Sequence, residues 1–378
     1  MNISRLLSSF AHKRSVCTVA GLASIIAMST FAVSAKDSLR GLHDPLKQPA
    51  AIQDLTRSQP VIGIARAGSH LVSVGLRGLI MISADGGESW KQAPSPVASD
   101  LIQVRFQDEL NGWIVGHDSV LLATTDGGLS WELRLDGRSL VTLLKEHYSS
   151  DIGLDEFEAE SMLREIDLAT STSADPDVMA TPFLDVFVNQ NGEGFLIGAF
   201  GMLLHTTDNG ATWEPWIERS ENERRMHLYG IDMHDDQAYI SGEQGLLMRL
   251  DREAERFVQV ETPYTGTFFG VYARRGLLLA YGLRGNLYVS RDEGDNWTRV
   301  DTQQQTTLVD ALEDGPNHLL LVSQRGELIR LDNRSLETTR LAVPFTGEVY
   351  SSVKLDGSGG LVVTQFSGVR RIDINQYQ

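Results

Sequence analysis

Four stretches decide how this chain is read: Ser83-Ala-Asp85-Gly-Gly87-Glu-Ser89-Trp90, Thr124-Thr-Asp126-Gly-Gly128-Leu-Ser130-Trp131, Thr206-Thr-Asp208-Asn-Gly210-Ala-Thr212-Trp213 and Ser290-Arg-Asp292-Glu-Gly294-Asp-Asn296-Trp297. In each a glycine stands ten residues before the Asp, at Gly75, Gly116, Gly198 and Gly282. Weaker copies keep the phase at Gly242-Glu-Gln-Gly245 and Ser323-Gln-Arg-Gly326, and a last copy runs through Val362-Val-Thr364 to Gly368. The anchors at 75, 116, 198, 242, 282 and 323 lie 40 to 44 residues apart, with one gap of 82. Units of that length, each a set of short apolar runs separated by turns, are the signature of propeller blades. Counting anchors gives an all-β, seven-bladed β-propeller of four-stranded antiparallel blades over residues 60–375.

Within a unit the pattern agrees. Val61 to Ala65 and His70 to Val74 read as strands, and a Gly-x-x-Gly hairpin follows. Then come Leu79 to Ile82, the Asp-loop and a short outer strand after Trp90. Glycine is expected at these turns because hairpins demand positive φ. The position three before the first glycine holds Val72, Trp113, Phe195, Tyr239 and Leu279, as a buried strand face should. In the 82-residue gap, residues 138–178 have neither turn nor Asp-loop. Leu154, Phe157, Met162, Leu163 and Ile166 recur there at helical spacing among Asp155, Glu156, Glu158, Glu160 and Glu165. The Asp175-Pro176 pair then breaks the helix, so an acidic helical insertion is expected between blades 2 and 3.

The N-terminus carries a different message. Arg5, Lys13 and Arg14 precede an apolar run from Val16 to Val33 that ends in small residues, the order of a secretory signal peptide over 1–35. Residues 36–59 would be a linker or a ring-closing strand. The only cysteine, Cys17, lies inside the leader, so the mature chain would hold no thiol, which suits a bacterial periplasm. The formal charge of −17 becomes −20 on loss of those three cations, which argues against nucleic acid and anionic membranes as partners. We expect a monomer with no insertion into the membrane after cleavage.

The Asp-loops are expected to be structural. An Asp in a tight turn accepts orphan backbone N–H groups, the glycine two residues on takes the left-handed region, and the Trp folds back onto the blade. That assigns Asp85, Gly87, Trp90, Asp126, Gly128, Trp131, Asp208, Gly210, Trp213, Asp292, Gly294 and Trp297 to architecture. No residue is singled out as catalytic, and no cofactor or metal is expected. The cluster His234-Asp235-Asp236 reads as turn chemistry between two strands.

The hairpin face offers a binding surface instead. The residue before the second hairpin glycine is Arg77, Phe200, Gln244, Arg284 or Arg325. Asp118-Ser119 stand there in blade 2, and Phe366 lies near the equivalent place in the last copy. The three arginines belong to blades 1, 5 and 6, near neighbours across blade 7. Together they would form a basic patch on an acidic protein, and exposed arginine beside phenylalanine is typical of interface anchors. The acidic insertion should stand on this same face.

The Asp-loops, with Asn111-Gly-Trp113-Ile-Val-Gly116 and Gly194-Phe-Leu-Ile-Gly198-Ala-Phe-Gly201, resemble the photosystem II stability and assembly factor-like propellers, which share bacterial neuraminidase-type repeats. The resemblance covers roughly residues 60–370. It implies a non-catalytic helper that binds newly made subunits of a membrane-protein complex, with an arginine patch that Arg77, Arg284 and Arg325 could match. In a bacterium without photosystems, the client it implies is an RND-type transporter. Two other classes stay open. A sialidase-like glycosidase would need an arginine triad, a tyrosine nucleophile and a carboxylate pair, yet the Arg-Ile-Pro motif of that group is absent. A carbohydrate-binding propeller would need aromatic residues such as Phe200 at its site.

Overall fold

The computed structural model describes residues 44–377 apart from 53, 55–58, 172, 174–176, 345–346 and 356–358. The expected leader over 1–35 and Cys17 lie outside the described residues. Blade 1 is built from strands Val61–Ala67, His70–Gly75, Ile80–Ser83 and Lys91–Ala93, paired antiparallel in chain order. Five further four-stranded sheets follow, whose innermost strands are Leu101–Phe106, Phe183–Val188, Leu228–His234, Phe268–Arg274 and Leu308–Glu313. The seventh blade departs from the expected four strands. It has three (Val349–Lys354, Gly360–Gln365 and Gly368–Asp373), after which Ile374–Tyr377 form a single 3-10 turn that buries Ile374.

The ring closes blade 7 directly onto blade 1. Thr364 donates its hydroxyl to the carbonyl of Ile62 at 2.7 Å, and Arg371 pairs with Glu88 at 2.6 Å. The described residues before blade 1 run alongside that blade without forming a strand. Ala98 N–H donates to the Pro45 carbonyl (2.8 Å) and Ala50 N–H to the Ser95 carbonyl (3.1 Å).

The core follows the pleat. Val72, Trp113, Phe195, Tyr239 and Leu279, read as one buried position, are all buried, and the second strands of blades 2, 3 and 5 are buried along their whole length. Such strands sit between neighbouring sheets on both faces, so they lose the alternation of a half-exposed strand.

The two hairpin glycines turn out to have different duties. Only the second is left-handed, with φ of 71° at Gly78 and 82° at Gly245. The first is extended, with φ of −168° at Gly75 and −157° at Gly242, so positive φ is not its reason. A Cβ on Gly75 would meet the Pro60 carbonyl oxygen at 2.1 Å, and one on Gly116 that of Asp100 at 2.2 Å. The chain entering the innermost strand passes too close for any side chain. The cause is a β-bulge in the second residue of every innermost strand: the register skips Ile62, Ile102, Leu184, Tyr229, Phe269, Val309 and Tyr350. A bulge bends the strand and re-aims the skipped side chain.

The insertion is a helical pair. Asp136, just past the outer strand of blade 2, caps α1 (Gly137–Tyr148), accepting from the N–H groups of Arg138 and Ser139 while its own N–H donates to the Ser139 hydroxyl oxygen. Helix α2 (Glu156–Ser171) buries Met162, Ile166 and Thr170. Both helices pack on blade 3 around Phe183, Met202 and Ile217. Phe157, which shares the helical spacing, is 73% exposed.

Candidate functional site

The two ends of the ring differ in kind. At one end lie the Asp-loops, which repeat a single hydrogen-bond pattern. In blade 2 the Thr124 hydroxyl donates to Asp126 (2.8 Å) and accepts from Gly128 N–H (3.0 Å), while Ser130 donates both its N–H (3.0 Å) and its hydroxyl (2.5 Å) to Asp126. Trp131 Nε1 then donates to the Gly128 carbonyl at 3.0 Å. The carboxylates of Asp85, Asp208 and Asp292 are held the same way, and Gly87, Gly128, Gly210 and Gly294 all have positive φ. Trp213 is buried and Trp90 and Trp297 half-buried. Every one of these carboxylates is saturated by its own loop and held below its usual pKa by those donors, which leaves no lone acid or base for chemistry. His234-Asp235-Asp236 also lies at this end, where Asp235 occupies a left-handed turn position (φ 52°) and pairs with Arg275 at 2.8 Å.

At the other end stand the Gly-x-x-Gly turns. Arg77, Phe200, Gln244 and Arg284 hold φ between 53° and 58° with exposed side chains. A left-handed non-glycine residue costs about 1–2 kcal/mol, so each of these turns carries a strain that glycine would remove. Arg325 is exposed in blade 6 but is not left-handed, and Phe366 is exposed in the turn of blade 7. Among the described residues, the guanidinium groups of Arg77, Arg284 and Arg325 donate no hydrogen bond and form no ion pair. Blade 2 differs: Asp118 and Ser119 are both left-handed, but Ser119 is fully buried and donates to the Thr181 carbonyl at 2.7 Å beneath the insertion. Gln244 is engaged by Arg224 at 2.8 Å.

Inside this circle of turns lie the seven bulge residues, all apolar and all half-buried. They stand at the start of the innermost strands, the end at which the Gly-x-x-Gly turns lie. An aromatic series crosses three blades there. The ring of Phe200 meets His227 edge-on at 4.7 Å, His227 meets Tyr229 at 6.2 Å, and Tyr229 meets Phe269 at 5.0 Å. The Phe200 N–H donates to His227 Nδ1 at 2.9 Å, which fixes the imidazole under the exposed phenyl ring. Burial and the nearby Glu243 push the Tyr229 hydroxyl above its usual pKa, so it stays a neutral donor. The bulge ring was missed in the sequence. Its trace there is an apolar residue 13 or 14 positions before each hairpin anchor, as Tyr229 precedes Gly242 and Ile102 precedes Gly116.

Deeper in the channel, carboxylates on the innermost strands staple blade to blade. Asp185 takes a bidentate pair from Arg105 (2.9 and 2.7 Å) and accepts Ile231 N–H of blade 4 at 3.1 Å. Asp232 accepts Ala273 N–H of blade 5 at 2.8 Å, and Asp310 accepts the N–H (3.0 Å) and hydroxyl (2.9 Å) of Ser352 in blade 7. Burial raises Asp232 and Asp310 above the usual carboxylate range despite these donors. The lone pairs are spent on backbone N–H groups, the Ser352 hydroxyl and the guanidinium groups of Arg105 and Arg274, as suits a fastening between blades. Among the described residues, no group of three metal-ligating side chains converges.

The family described as photosynthesis system II assembly factor YCF48 matches residues 54–140 and 175–330. The chain belongs to that family. It is 25% identical over 302 residues to a photosystem II assembly lipoprotein Ycf48 of Synechococcus, which covers 74% of this chain and 87% of that protein. A 50-residue stretch is 44% identical to the chloroplastic photosystem II stability/assembly factor HCF136 of Cyanidioschyzon merolae, 13% of this chain and 11% of that one. Among solved structures, a YCF48 bound to a D1 peptide superposes with a TM-score of 0.57 at 16% identity, covering 86% of this chain and 96% of that one. The YCF48 of Cyanidioschyzon merolae gives 0.58 at 14% identity, over 86% and 98%. At such identities these two share the fold. Against the YCF48 family, this chain's helical pair falls in the unmatched stretch 141–174 apart from the first residues of α1.

Proposed function

We propose that this protein is a non-catalytic assembly or stability factor, working outside the cytoplasm, that grips a segment of a membrane-protein client with its turn face. The observation that carries the reading is the ring of seven half-buried apolar bulge residues, bordered by Arg77, Arg284 and Arg325 with nothing of their own to bind. Apolar anchors inside a cationic rim suit a peptide that carries apolar side chains and a carboxylate. Membership of the YCF48 family and the leader-like N-terminus support the setting, a newly made subunit presented on the far side of a membrane. In a bacterium without photosystems we take the client to be a transporter complex of the RND type.

A photocrosslinking amino acid at Arg284 or at Phe366 tests this in cells. Both positions are exposed turn residues, and they should trap the same integral-membrane polypeptide. The same label at Glu88, on the Asp-loop end, should not. Equal trapping from both ends would overturn the assignment of the face. Retention of a free glycan on a column, with no crosslinked polypeptide, would move the protein to the carbohydrate binders.

A further inference from the structure

Helices α1 and α2 do more than fill a gap between blades. Between them and blade 3 lies an apolar groove of about 680 Å³, lined by Leu144, Met162, Ile166, Met179, Met202 and Ile217. Phe200 and Leu168 on α2 also line it, with 63% and 67% of their surfaces exposed. Such a volume is that of a small-ligand pocket, and large exposed apolar side chains flanking one groove are rare on a protein with no partner there.

The helical pair beside it is acidic. Residues 137–171 carry eight carboxylates against three cations. Glu165 lines the groove directly, and Glu158, two turns back on the same helical face, extends that edge. Within the lining Glu165 and Arg225 pair with each other at 2.9 Å, so the acidic excess lies along the exposed edge of α2 rather than inside the groove. The helical wall of the groove (Leu144, Met162, Glu165, Ile166, Leu168 and Ala169) lies in the part of the chain that the YCF48 family match leaves out, whereas the blade wall lies in the matched part.

We infer that this groove is a second client site that takes an apolar helical segment flanked by lysine or arginine, its apolar face against the methionines and its cations along α2. The inference rests on the reading of the turn face as client-binding, and adds a contact with the opposite charge preference. An amphipathic helix laid in a groove, with three or four apolar side chains inserted, is a common way to recognise a peptide. The turn face selects anionic character and the groove cationic character. One client segment bridging both would therefore be apolar with a basic stretch at one end and a carboxylate at the other.

The test uses the full mature chain and three fluorescent or labelled probes: an 18-residue leucine–lysine amphipathic peptide, its leucine–glutamate counterpart, and oleate. We expect the basic peptide to bind about tenfold or more tightly than the acidic one in low salt, with the gap closing as salt rises. Ala169 lines the groove from an exposed position, so Ala169→Trp should fill it without unfolding the helix. That variant should lose about tenfold in affinity for the basic peptide, and Leu168→Asn should lose severalfold. A chain with Arg77, Arg284 and Arg325 all changed to Glu should keep basic-peptide binding, which separates failure of the groove from failure of the turn face. Equal affinity for both peptides would overturn the proposal, as would unchanged binding in Ala169→Trp. Saturable oleate binding that Ala169→Trp abolishes, with neither peptide bound, would also overturn it and make the groove a lipid site.

Discussion

At Phe200 the chain accepts a cost that glycine would avoid. Its φ of 56° recurs at Arg77, Gln244 and Arg284, all at one position of the repeat and none a glycine, although glycine occupies the next residue each time. Strain kept at matched exposed positions is strain kept for the side chain. Phe200→Gly should therefore leave the unfolding free energy unchanged or raise it by up to about 1 kcal/mol, while crosslinking of the client falls. Chemical denaturation checks the first part. A clear loss of stability would show that the ring of Phe200 is held for packing on His227 instead. The Asp-loop glycines behave in the opposite sense. A Cβ on Gly128 (φ 88°) would meet a Val72 methyl at 2.8 Å, whereas one on Gly153 (φ 84°) would meet nothing within 4 Å. Gly128→Ala should cost about 2 kcal/mol or more and Gly153→Ala about 1 kcal/mol, measured by the same denaturation. Burial alone would raise the pKa of Asp126, but donors from Ser130 and Thr124 outweigh it and hold the pKa down. Its loop then contributes stability that is full above the unfolded carboxylate pKa and is lost as pH falls through the lower, folded value. Asp126→Ala should cost about 1 kcal/mol at pH 7, and thermal melts should show the deficit shrinking towards pH 2.

At the scale of elements, the innermost strands carry both the fastening and the proposed binding surface. The bulge sets one half-buried residue per blade at the turn end of the innermost strand, and Asp185, Asp232 and Asp310 beyond it tie their blades to neighbours. Asp185 is 2% exposed and holds Arg105 and the Ile231 N–H at once. Arg105 keeps 38% of its side chain open to the channel, so water would take over part of its solvation. Asp185→Ala should still cost about 2–4 kcal/mol, because a buried N–H is left unpaired. Hydrogen exchange should place the loosening at the junction of blades 2, 3 and 4. The turns and Asp-loops were legible in the sequence because they need particular residues: Gly where φ is positive, Asp where N–H groups converge. The first hairpin glycine was legible as a position but not as a cause, since the collision it avoids is with a carbonyl 15 residues away, Pro60 against Gly75. The bulges left only a spacing as their trace, for a related reason. A skipped residue leaves the apolar pattern of the strand intact and shows only in its partner's register. Helix α2 announced itself by spacing, whereas α1 was covered only by the bounds given to the insertion.

For the whole molecule, repetition made seven blades readable before any contact was known. The three-stranded seventh blade was not readable, because its strands keep the phase of the others and only the return strand is missing. Which face binds was argued from topology alone, and the structure adds the apolar ring and the aromatic series from Phe200 to Phe269. The chain is acidic, with a formal charge of −17, so a cationic rim at one mouth would be a local exception that attracts an anionic segment only at short range. The central claim is that this mouth holds a membrane-protein client. The most direct measurement is affinity capture from gently solubilised native membranes, comparing the natural protein with the combined Arg77→Glu, Arg284→Glu and Arg325→Glu variant after matched thermal melts show both folded. Enrichment of one integral-membrane complex by the natural protein, and its loss from the variant, is the predicted result. Capture of the same complex in the same yield by both proteins would contradict the account.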